Sequence, residues 1–315
     1  MVVSMNDTLI NPGTFFSLIV PFGSTSMRID SYLSLYFSKY SRTFFKKLID
    51  DGLIQCNGNL VKKPSFLVKA YDGLNVQFPL EEAAVKSDLA LNIPASLVYQ
   101  HEHFLVINKP PFLSVHAPHK NSKEPSLVDW LVAQFDEIRL VGHHDRPGIV
   151  HRLDKNTSGL LLVSRNNYAH ELLSNLFKSR LIKKTYCAIV KGHPPQAGTI
   201  DFPIARDPFY RTKMSHNYST GRLATTHYKV LDYFNDAALV ELYPVTGRTH
   251  QIRVHCAAIG HPLIGDALYG SSSKLISRHA LHATALEFSF EGQNFSFTQK
   301  LPQDFKDLVD FFRFS

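Results

Sequence analysis

One carboxylate stands among cationic residues in a polar loop near the middle of the chain. Asp154 lies two residues after Arg152 and directly before Lys155. Apolar runs that suit buried strands flank this loop at 149–150 and 160–163. A positioned, ionised carboxylate can attack the anomeric carbon of a sugar, and a nearby guanidinium favours the ionised form. Asp154 is therefore the candidate nucleophile. The alternative is a structural aspartate that caps backbone amides or pairs with an arginine.

The sixteen histidines and three cysteines do not form a recognisable metal site. The tightest histidine groups, at 101–103 and 143–144, are followed by no ligand set with zinc spacing. Cys56, Cys187 and Cys256 are odd in number and far apart, which argues against a disulfide framework. The sequence also lacks a phosphate-binding glycine loop and a dinucleotide fingerprint. We predict neither a metal nor a small-molecule cofactor.

We predict a small N-terminal module over residues 14–80, well before the central loop. Apolar residues recur at helical spacing through 29–37, which predicts a first helix. Ser41 can cap a second helix and Gly52 can end it. A short strand then reaches Asn57-Gly58, a dipeptide typical of a tight β-hairpin. The module is therefore expected to combine two helices with a small sheet.

Positive charge is concentrated on this module. Arg42, Lys46 and Lys47 lie on the second helix, largely off its apolar stripe, and Lys62-Lys63 follows the hairpin. Such a surface is either simply solvated or follows a phosphate backbone, where each neutralised phosphate releases counterions. The module resembles the RNA-binding domain named after ribosomal small-subunit protein four. The resemblance rests on Arg28-Ile29-Asp30, Tyr40-Ser41-Arg42, Ile54-Gln55-Cys56-Asn57-Gly58 and Asp72-Gly73. It implies that the module binds RNA.

The rest of the chain is predicted to be one larger domain after a linker. Residues 81–95 have weak periodicity and indicate the linker, and the domain follows over 96–315. Short strand patterns alternate with a few helices there, without a regular strand–helix–strand repeat. This predicts an α+β fold with a mixed, mostly antiparallel sheet rather than a doubly wound one.

Composition is that of an ordinary globular protein, with 44% hydrophobic and 19% charged residues. No apolar run approaches the roughly 20 residues that a membrane-spanning helix needs. We therefore expect no membrane partner and a cytoplasmic location. The formal net charge of +7 permits a polyanionic partner without requiring one.

The amino-acid sequence of the central loop resembles the signature motif of a known enzyme family. His-Arg-Leu-Asp-x-x-Thr-Ser-Gly-Leu-Leu-Leu, at 151–162, closely resembles that of the RluA family of RNA pseudouridine synthases. Stretches at 184–192, 244–255 and 260–270 resemble further family motifs in the same order. With the N-terminal module, the likeness is nearest the RluD-like branch, which acts on large-subunit ribosomal RNA. Asn156, where an acidic residue is common, is a small departure, and 114–117 only approximates the usual loop.

The resemblance implies an isomerase that converts specific uridines into pseudouridine, with RNA, expected to be ribosomal, as partner and a monomer favoured. Asp154 would be the nucleophile, or the base in a glycal route. Arg152 would fill the gap left by the flipped uridine, and Tyr186 would stack on its uracil. Arg248 would contact the substrate site by pairing with Asp154 and keeping it charged. Arg253 is the alternative partner; a cation at a helix start is disfavoured, which suggests that Arg248 has a role outside the helix.

Two other functions remain open at this point. A non-catalytic RNA-binding, ribosome-associated factor would show the same charge pattern without modifying uridines. A glycosidase could also use Asp154, but it would normally need a second carboxylate roughly 5 Å or more away. The loop offers basic neighbours instead, which favours the RNA-modifying enzyme.

Overall fold

The structure is a computed structural model that describes residues 13–79, 90, 92–117, 122, 124–210, 212–216 and 220–315. Most of the predicted linker at 81–95 lies outside the described residues, so the linker and the domain bounds around it stay predictions.

The N-terminal module contains two helices packed on a small antiparallel sheet. Its helices are α1 (Ile29–Tyr36) and α2 (Arg42–Asp50). Its strands are β1 (Phe15–Ile19), β2 (Met27–Arg28), β3 (Ile54–Cys56), β4 (Asn59–Leu60), β5 (Leu67–Val68) and β6 (Gly73–Gln77). The main sheet has the order β1-β6-β3-β4, and β2 pairs with β5. Aromatic and aliphatic side chains from both helices and the sheet form one buried core.

Local signals in the module are confirmed. The Ser41 side chain accepts a hydrogen bond from the Phe44 amide at 3.1 Å and so caps α2. Gly52 follows that helix with φ +72°. Asn57 and Gly58 have φ values of +51° and +78°, the positive pair that a type I′ hairpin turn requires.

The C-terminal domain is built on a nine-stranded sheet. Its strands and those of two small ribbons are β7 (Ser96–Gln100), β8 (Phe104–Lys109), β9 (Gly142–His143), β10 (Arg146–Pro147), β11 (Ser158–Ser164), β12 (Lys183–Lys191), β13 (Ala197–Ile200), β14 (Ala205–Arg206), β15 (Met214–Ser215), β16 (Thr226–Tyr233), β17 (Ala237–Pro244), β18 (Leu281–Phe290) and β19 (Gln293–Thr298). Its helices are α3 (Leu127–Gln134), a 3₁₀ turn (Asp136–Leu140), α4 (Asn167–Lys178), α5 (Gln251–Ala258) and α6 (Gln303–Phe314).

The sheet order is β13-β16-β17-β12-β18-β11-β8-β7, with β19 also pairing with β18. Among the strand pairs of the described chain, β11 and β18 are parallel and the other pairs of this sheet are antiparallel. The predicted α+β fold with a mixed, mostly antiparallel sheet is confirmed. Clusters of buried apolar side chains cover both faces of the sheet.

The parallel pair determines where the central loop lies. Because β11 and β18 run in the same direction, the segments that precede them meet at the same edge of the sheet. Gly159 on β11 has φ +112°, and a Cβ atom there would overlap the backbone of Ala283 on β18. Glycine is therefore needed for the close approach of the two strands. This approach brings the Asp154 loop against residues 278–282.

One predicted strand is wrong. The segment at 149–150 is not a buried strand, and only Ile149 forms an isolated bridge, with Val163. Gly148 turns the chain immediately before it with φ +72°. The chain then leaves the sheet, which places Asp154 at the edge rather than between two strands.

Candidate active site

A cavity of about 470 Å³ opens beside Asp154. Seven arginine and lysine residues line it, whereas Asp154 is the single carboxylate among the lining residues. The seven cations are Arg152, Lys178, Arg180, Lys184, Arg222, Arg248 and Arg253. Such an excess of positive charge around one anion suits a polyanionic ligand whose phosphates surround the reacting group.

Buried side chains hold the backbone of the Asp154 loop in place. Lys109 donates to the Lys155 carbonyl at 3.2 Å, and Arg278 donates to the Asn156 carbonyl at 3.3 Å. The hydroxyls of the two residues that close the loop are each 2.8 Å from a histidine ring nitrogen, in the pairs Thr157–His279 and Ser158–His282. These partners come from β8, from the segment that leads into β18 and from the start of β18 itself. The carboxylate is thus fixed by contacts that are distant in sequence.

The buried partners differ in charge. Burial lowers the pKa of Lys109 to about 7, although the nearby Asp154 raises it. Lys109 also donates to the carbonyls of Pro110 and Leu113 at 2.8 and 2.9 Å, so its three donors all have acceptors. Burial lowers the pKa values of His279 and His282 to about 4 each, so both rings are neutral at pH 7.

Arg253 on α5 is the ion-pair partner of Asp154. Its Nη1 lies 3.2 Å from Asp154 Oδ2, and its Nε and Nη2 lie 2.7 and 2.9 Å from the two carboxylate oxygens of Asp266. The Asp266 side chain is 1% exposed and that of Asp154 is 19% exposed. Burial alone would lower the pKa of Arg253, but the two carboxylates raise it overall. One fixed cation therefore bridges the two carboxylates.

The prediction that Arg248 pairs with Asp154 is wrong. Arg248 lines the cavity but donates from Nε to the Leu223 carbonyl at 3.2 Å. Its pKa is lowered by burial and by the neighbouring Arg222 and Arg180. Helix α5 begins at residue 251, so Arg253 is in its first turn. The unfavourable helix dipole, worth about 0.3–1 kcal/mol, is smaller than the attraction of two carboxylates.

Two other predicted residues lie around the same cavity. Tyr186 on β12 lines it and is 9% exposed. Burial and the nearby Asp154 raise the pKa of Tyr186, so it is a neutral phenol. Arg152 is exposed at the rim. Within the part of the chain that the structure describes, it makes no ion pair, which leaves its guanidinium available to a ligand.

The sequence did not single out His250 and Tyr269, which also border the carboxylate. His250 Nε2 is 4.0 Å from Asp154 Oδ2, and its Nδ1 is 2.8 Å from the Tyr269 hydroxyl. That hydroxyl accepts a hydrogen bond from the Met214 amide at 2.8 Å, and the Arg253 guanidinium lies over the Tyr269 ring at 5.0 Å. In the sequence, only their positions within the family-like stretches at 244–255 and 260–270 pointed to these two residues.

A second groove, of about 720 Å³, connects the cavity with the N-terminal module. The groove and the cavity share Val150, His151 and Arg152, so Arg152 stands at their junction. Arg42 also lines the groove, and its Nη2 is 3.1 Å from Asp30 Oδ2. Cationic residues of both domains therefore border one open path.

The other predicted cations of the module lie on α2 beside the groove. Lys46 is exposed, and Lys47 Nζ is 3.2 Å from His144 Nε2 in the larger domain. No group of three or more metal-binding side chains occurs among the described residues. None of the helices in the described ranges is long and apolar enough to cross a bilayer.

Two segments of the chain match known families. Residues 103–258 match RNA pseudouridylate synthase, and residues 27–73 match the S4 domain. The chain is similar to ribosomal large subunit pseudouridine synthase D of Zymomonas mobilis subsp. mobilis, with 38% identity over 88% of this chain and 91% of the relative. The protein of the same name from Escherichia coli O157:H7 is 35% identical over 91% of this chain and 90% of its own. The solved structure of human RNA pseudouridylate synthase domain containing 1 superposes with a TM-score of 0.56 at 28% identity, over 71% of this chain and 96% of that one.

Proposed function

The chain belongs to the RNA pseudouridylate synthase family, and we propose that it isomerises specific uridines of large-subunit ribosomal RNA through Asp154. The observation that carries this proposal is the ion pair between Asp154 and Arg253 at the edge of a cavity whose other charged lining residues are all cations. A carboxylate paired with a guanidinium can act on a ribose while the surrounding cations hold phosphates.

The reaction exchanges one bond to the sugar for another. The bond between uracil N1 and ribose C1′ breaks, the uracil rotates, and C5 forms the new bond to C1′. Asp154 would attack C1′, or act as the base in a glycal route. The proton that leaves C5 is balanced by the one that N1 gains, so no co-reactant is consumed.

The positions of three residues around the cavity support roles in substrate binding. The uridine has to leave its stack, because its glycosidic bond is otherwise shielded. Tyr186, on the cavity wall, would stack on the extruded uracil. Arg152, exposed at the rim without an ion pair, would occupy the space that the base vacates. Arg248 would contact a phosphate of the substrate rather than Asp154.

We propose that the RNA strand continues from the cavity into the groove beside the N-terminal module. Arg42, Arg146 and Arg152 line this groove with a single carboxylate, that of Glu171. Lys46 and Lys47 on α2 would extend the basic surface beyond it. The proposed division into a module at 14–80, a linker at 81–95 and a catalytic domain at 96–315 assigns the two sides of the groove to separate domains.

The target, assembly and location follow from the same reasoning. Relatives named for the large ribosomal subunit match 88% and 91% of the chain, which favours ribosomal RNA as the substrate. Asp154, Arg253 and Tyr186 meet at one cavity within a single chain, and we propose that a monomer is sufficient. A ribosomal substrate would place the enzyme in the cytoplasm.

Carbodiimide-based primer extension on ribosomal RNA tests the proposal. Cells that lack the gene should lose pseudouridine at one or more positions of the large-subunit RNA. Re-expression of the wild-type chain should restore them, whereas Asp154→Asn should not, although the variant still binds RNA. Asp307→Asn, which changes an exposed carboxylate on α6, is the matched control and should restore them. An unchanged pattern of modified uridines after gene deletion would leave only the non-catalytic RNA-binding factor.

A further inference from the structure

The isomerisation needs a proton acceptor at a defined place. This inference rests on the proposed function. After the uracil rotates, C5 occupies the position that N1 vacated and is bonded to C1′. Its proton is therefore released beside the atom on which Asp154 acts. The acceptor has to lie within a few ångströms of that carboxylate, because proton transfer requires hydrogen-bond reach in the reacting complex.

Three neighbours of Asp154 are poor acceptors. Arg253 is ion-paired to two carboxylates, which raise its pKa. Lys109 is fully buried and does not line the cavity, and its Nζ faces three backbone carbonyls rather than the substrate. Tyr186 is a phenol whose pKa is raised by burial and by the nearby carboxylate, so its basic form is scarce.

His250 has the position and the chemistry that the others lack. Its Nε2 is 4.0 Å from Asp154 Oδ2, and the side chain lines the cavity. Its Nδ1 is held at 2.8 Å by the Tyr269 hydroxyl, which orients the ring. The residue has φ +56°, ψ +18° at the start of α5. Such a backbone conformation costs a non-glycine residue about 1–3 kcal/mol and is concentrated at functional sites.

We propose that Nε2 of His250 accepts the proton that C5 of the rotated uracil loses. Once C5 has bonded to C1′, C5 carries both the hydrogen and the sugar, and a double bond joins N1 to C6. The C5–H bond breaks, its electron pair forms the C5–C6 double bond, and the proton moves to Nε2. The electron pair of the N1–C6 double bond moves to N1 at the same time. N1 takes up one proton from the imidazolium or from solvent. Atoms and charge therefore balance without another reactant.

Burial is the main reason that His250 is a neutral base. Burial lowers its pKa, and Arg253 and Arg152 lower it further, whereas Asp154 and Asp266 oppose them. Tyr269 packs on the other side of the ring as a neutral hydroxyl, because burial raises its pKa to about 12. The acidic limb of the rate profile should therefore lie below pH 6.5, the ordinary histidine value.

His250→Asn is the discriminating variant. Asparagine tolerates the left-handed backbone conformation and places a polar atom near that of Nδ1, so the contact with Tyr269 can persist. It removes the nitrogen at the Nε2 position. His227→Asn is the matched control, because His227 is exposed on β16 and its Nδ1 lies 2.8 Å from the Thr199 hydroxyl, on the surface.

The experiment is single-turnover pseudouridine formation on ribosomal RNA transcripts with hydrogen or deuterium at C5 of uridine. His250→Asn should bind RNA as tightly as the wild type but react about 10²–10⁴-fold more slowly, the usual contribution of general acid–base catalysis. The deuterated transcript should react more slowly still with this variant only. Added imidazole should restore part of its rate, and His227→Asn should match the wild type.

Other outcomes would overturn the inference. A wild-type rate for His250→Asn would exclude the role. A slow reaction that is the same for both isotopes and unaffected by imidazole would show that His250 only positions its neighbours. Failure of the wild-type enzyme to form any pseudouridine would instead refute the proposed function, and this inference with it.

Discussion

Replacing Arg253 with methionine tests the ion-pair network that holds the site. The change removes two contacts to Asp266, at 2.7 and 2.9 Å, and one to Asp154, at 3.2 Å. The Asp266 side chain is 1% exposed and would keep a buried charge without its partner. Removing one member of a buried pair costs about 3–5 kcal/mol, a large part of the 5–15 kcal/mol that is typical of a folded domain.

A double substitution separates stability from catalysis. Asp266→Asn removes the stranded charge and keeps an oxygen that can accept from the amides of Leu268 and Tyr269, now at 3.1 and 3.2 Å. Arg253→Met with Asp266→Asn should therefore recover most of the lost free energy of unfolding. Its rate should stay low, by about 10²–10³-fold, because Asp154 still lacks its cation.

Arg248→Met is the matched control for the same cavity. Its Nε bond to the Leu223 carbonyl is exposed, so the free energy of unfolding should change by no more than about 1 kcal/mol. Urea denaturation gives the midpoints, compared at a common slope, and single-turnover pseudouridine formation gives the rates. The reasoning would be refuted if Arg248→Met destabilised more than Arg253→Met, or if the double variant were as unstable as the single one.

Further changes test the buried loop partners and the RNA path. Burial depresses four histidine pKa values to about 3 or 4, so these rings take up protons only on unfolding. The free energy of unfolding should therefore be highest above pH 6.5 and fall towards pH 4, with a loss of about 5 kcal/mol at pH 5.5. Urea titrations at several pH values would detect this loss. The four are His151, His170, His279 and His282. Lys109→Met should lower the free energy of unfolding by about 2–5 kcal/mol, because three backbone carbonyls lose their donor; an unchanged urea midpoint would contradict this. Arg42→Ala should lower the number of counterions released on RNA binding by about one, measured as the slope of log affinity against log salt concentration, and leave the single-turnover rate at saturating RNA unchanged. Equal slopes for the variant and the wild type would show that the RNA strand does not contact Arg42.

Predictions from the sequence succeeded where the deciding interactions are local. The cap at Ser41, the turn at Asn57-Gly58 and the two helices depend on residues only a few positions apart. The mixed sheet was also predictable, because the absence of a regular strand–helix–strand repeat excludes a doubly wound fold. The prediction of a strand before the central carboxylate was wrong, because a glycine turn at 148 prevents residues 149–150 from forming one.

The sequence by itself determined the family-like motif, the fold class and the residues that could carry the chemistry. Only the tertiary structure decided that Arg253 rather than Arg248 pairs with Asp154, across 99 positions of the chain. It alone showed that Lys109 and His279 hold the loop from 46 and 122 positions away. The physical reason is that an ion pair or a buried hydrogen bond depends on which groups share a desolvated space. Such proximity arises when distant strands and helices pack together, and it cannot be read from spacing along the chain.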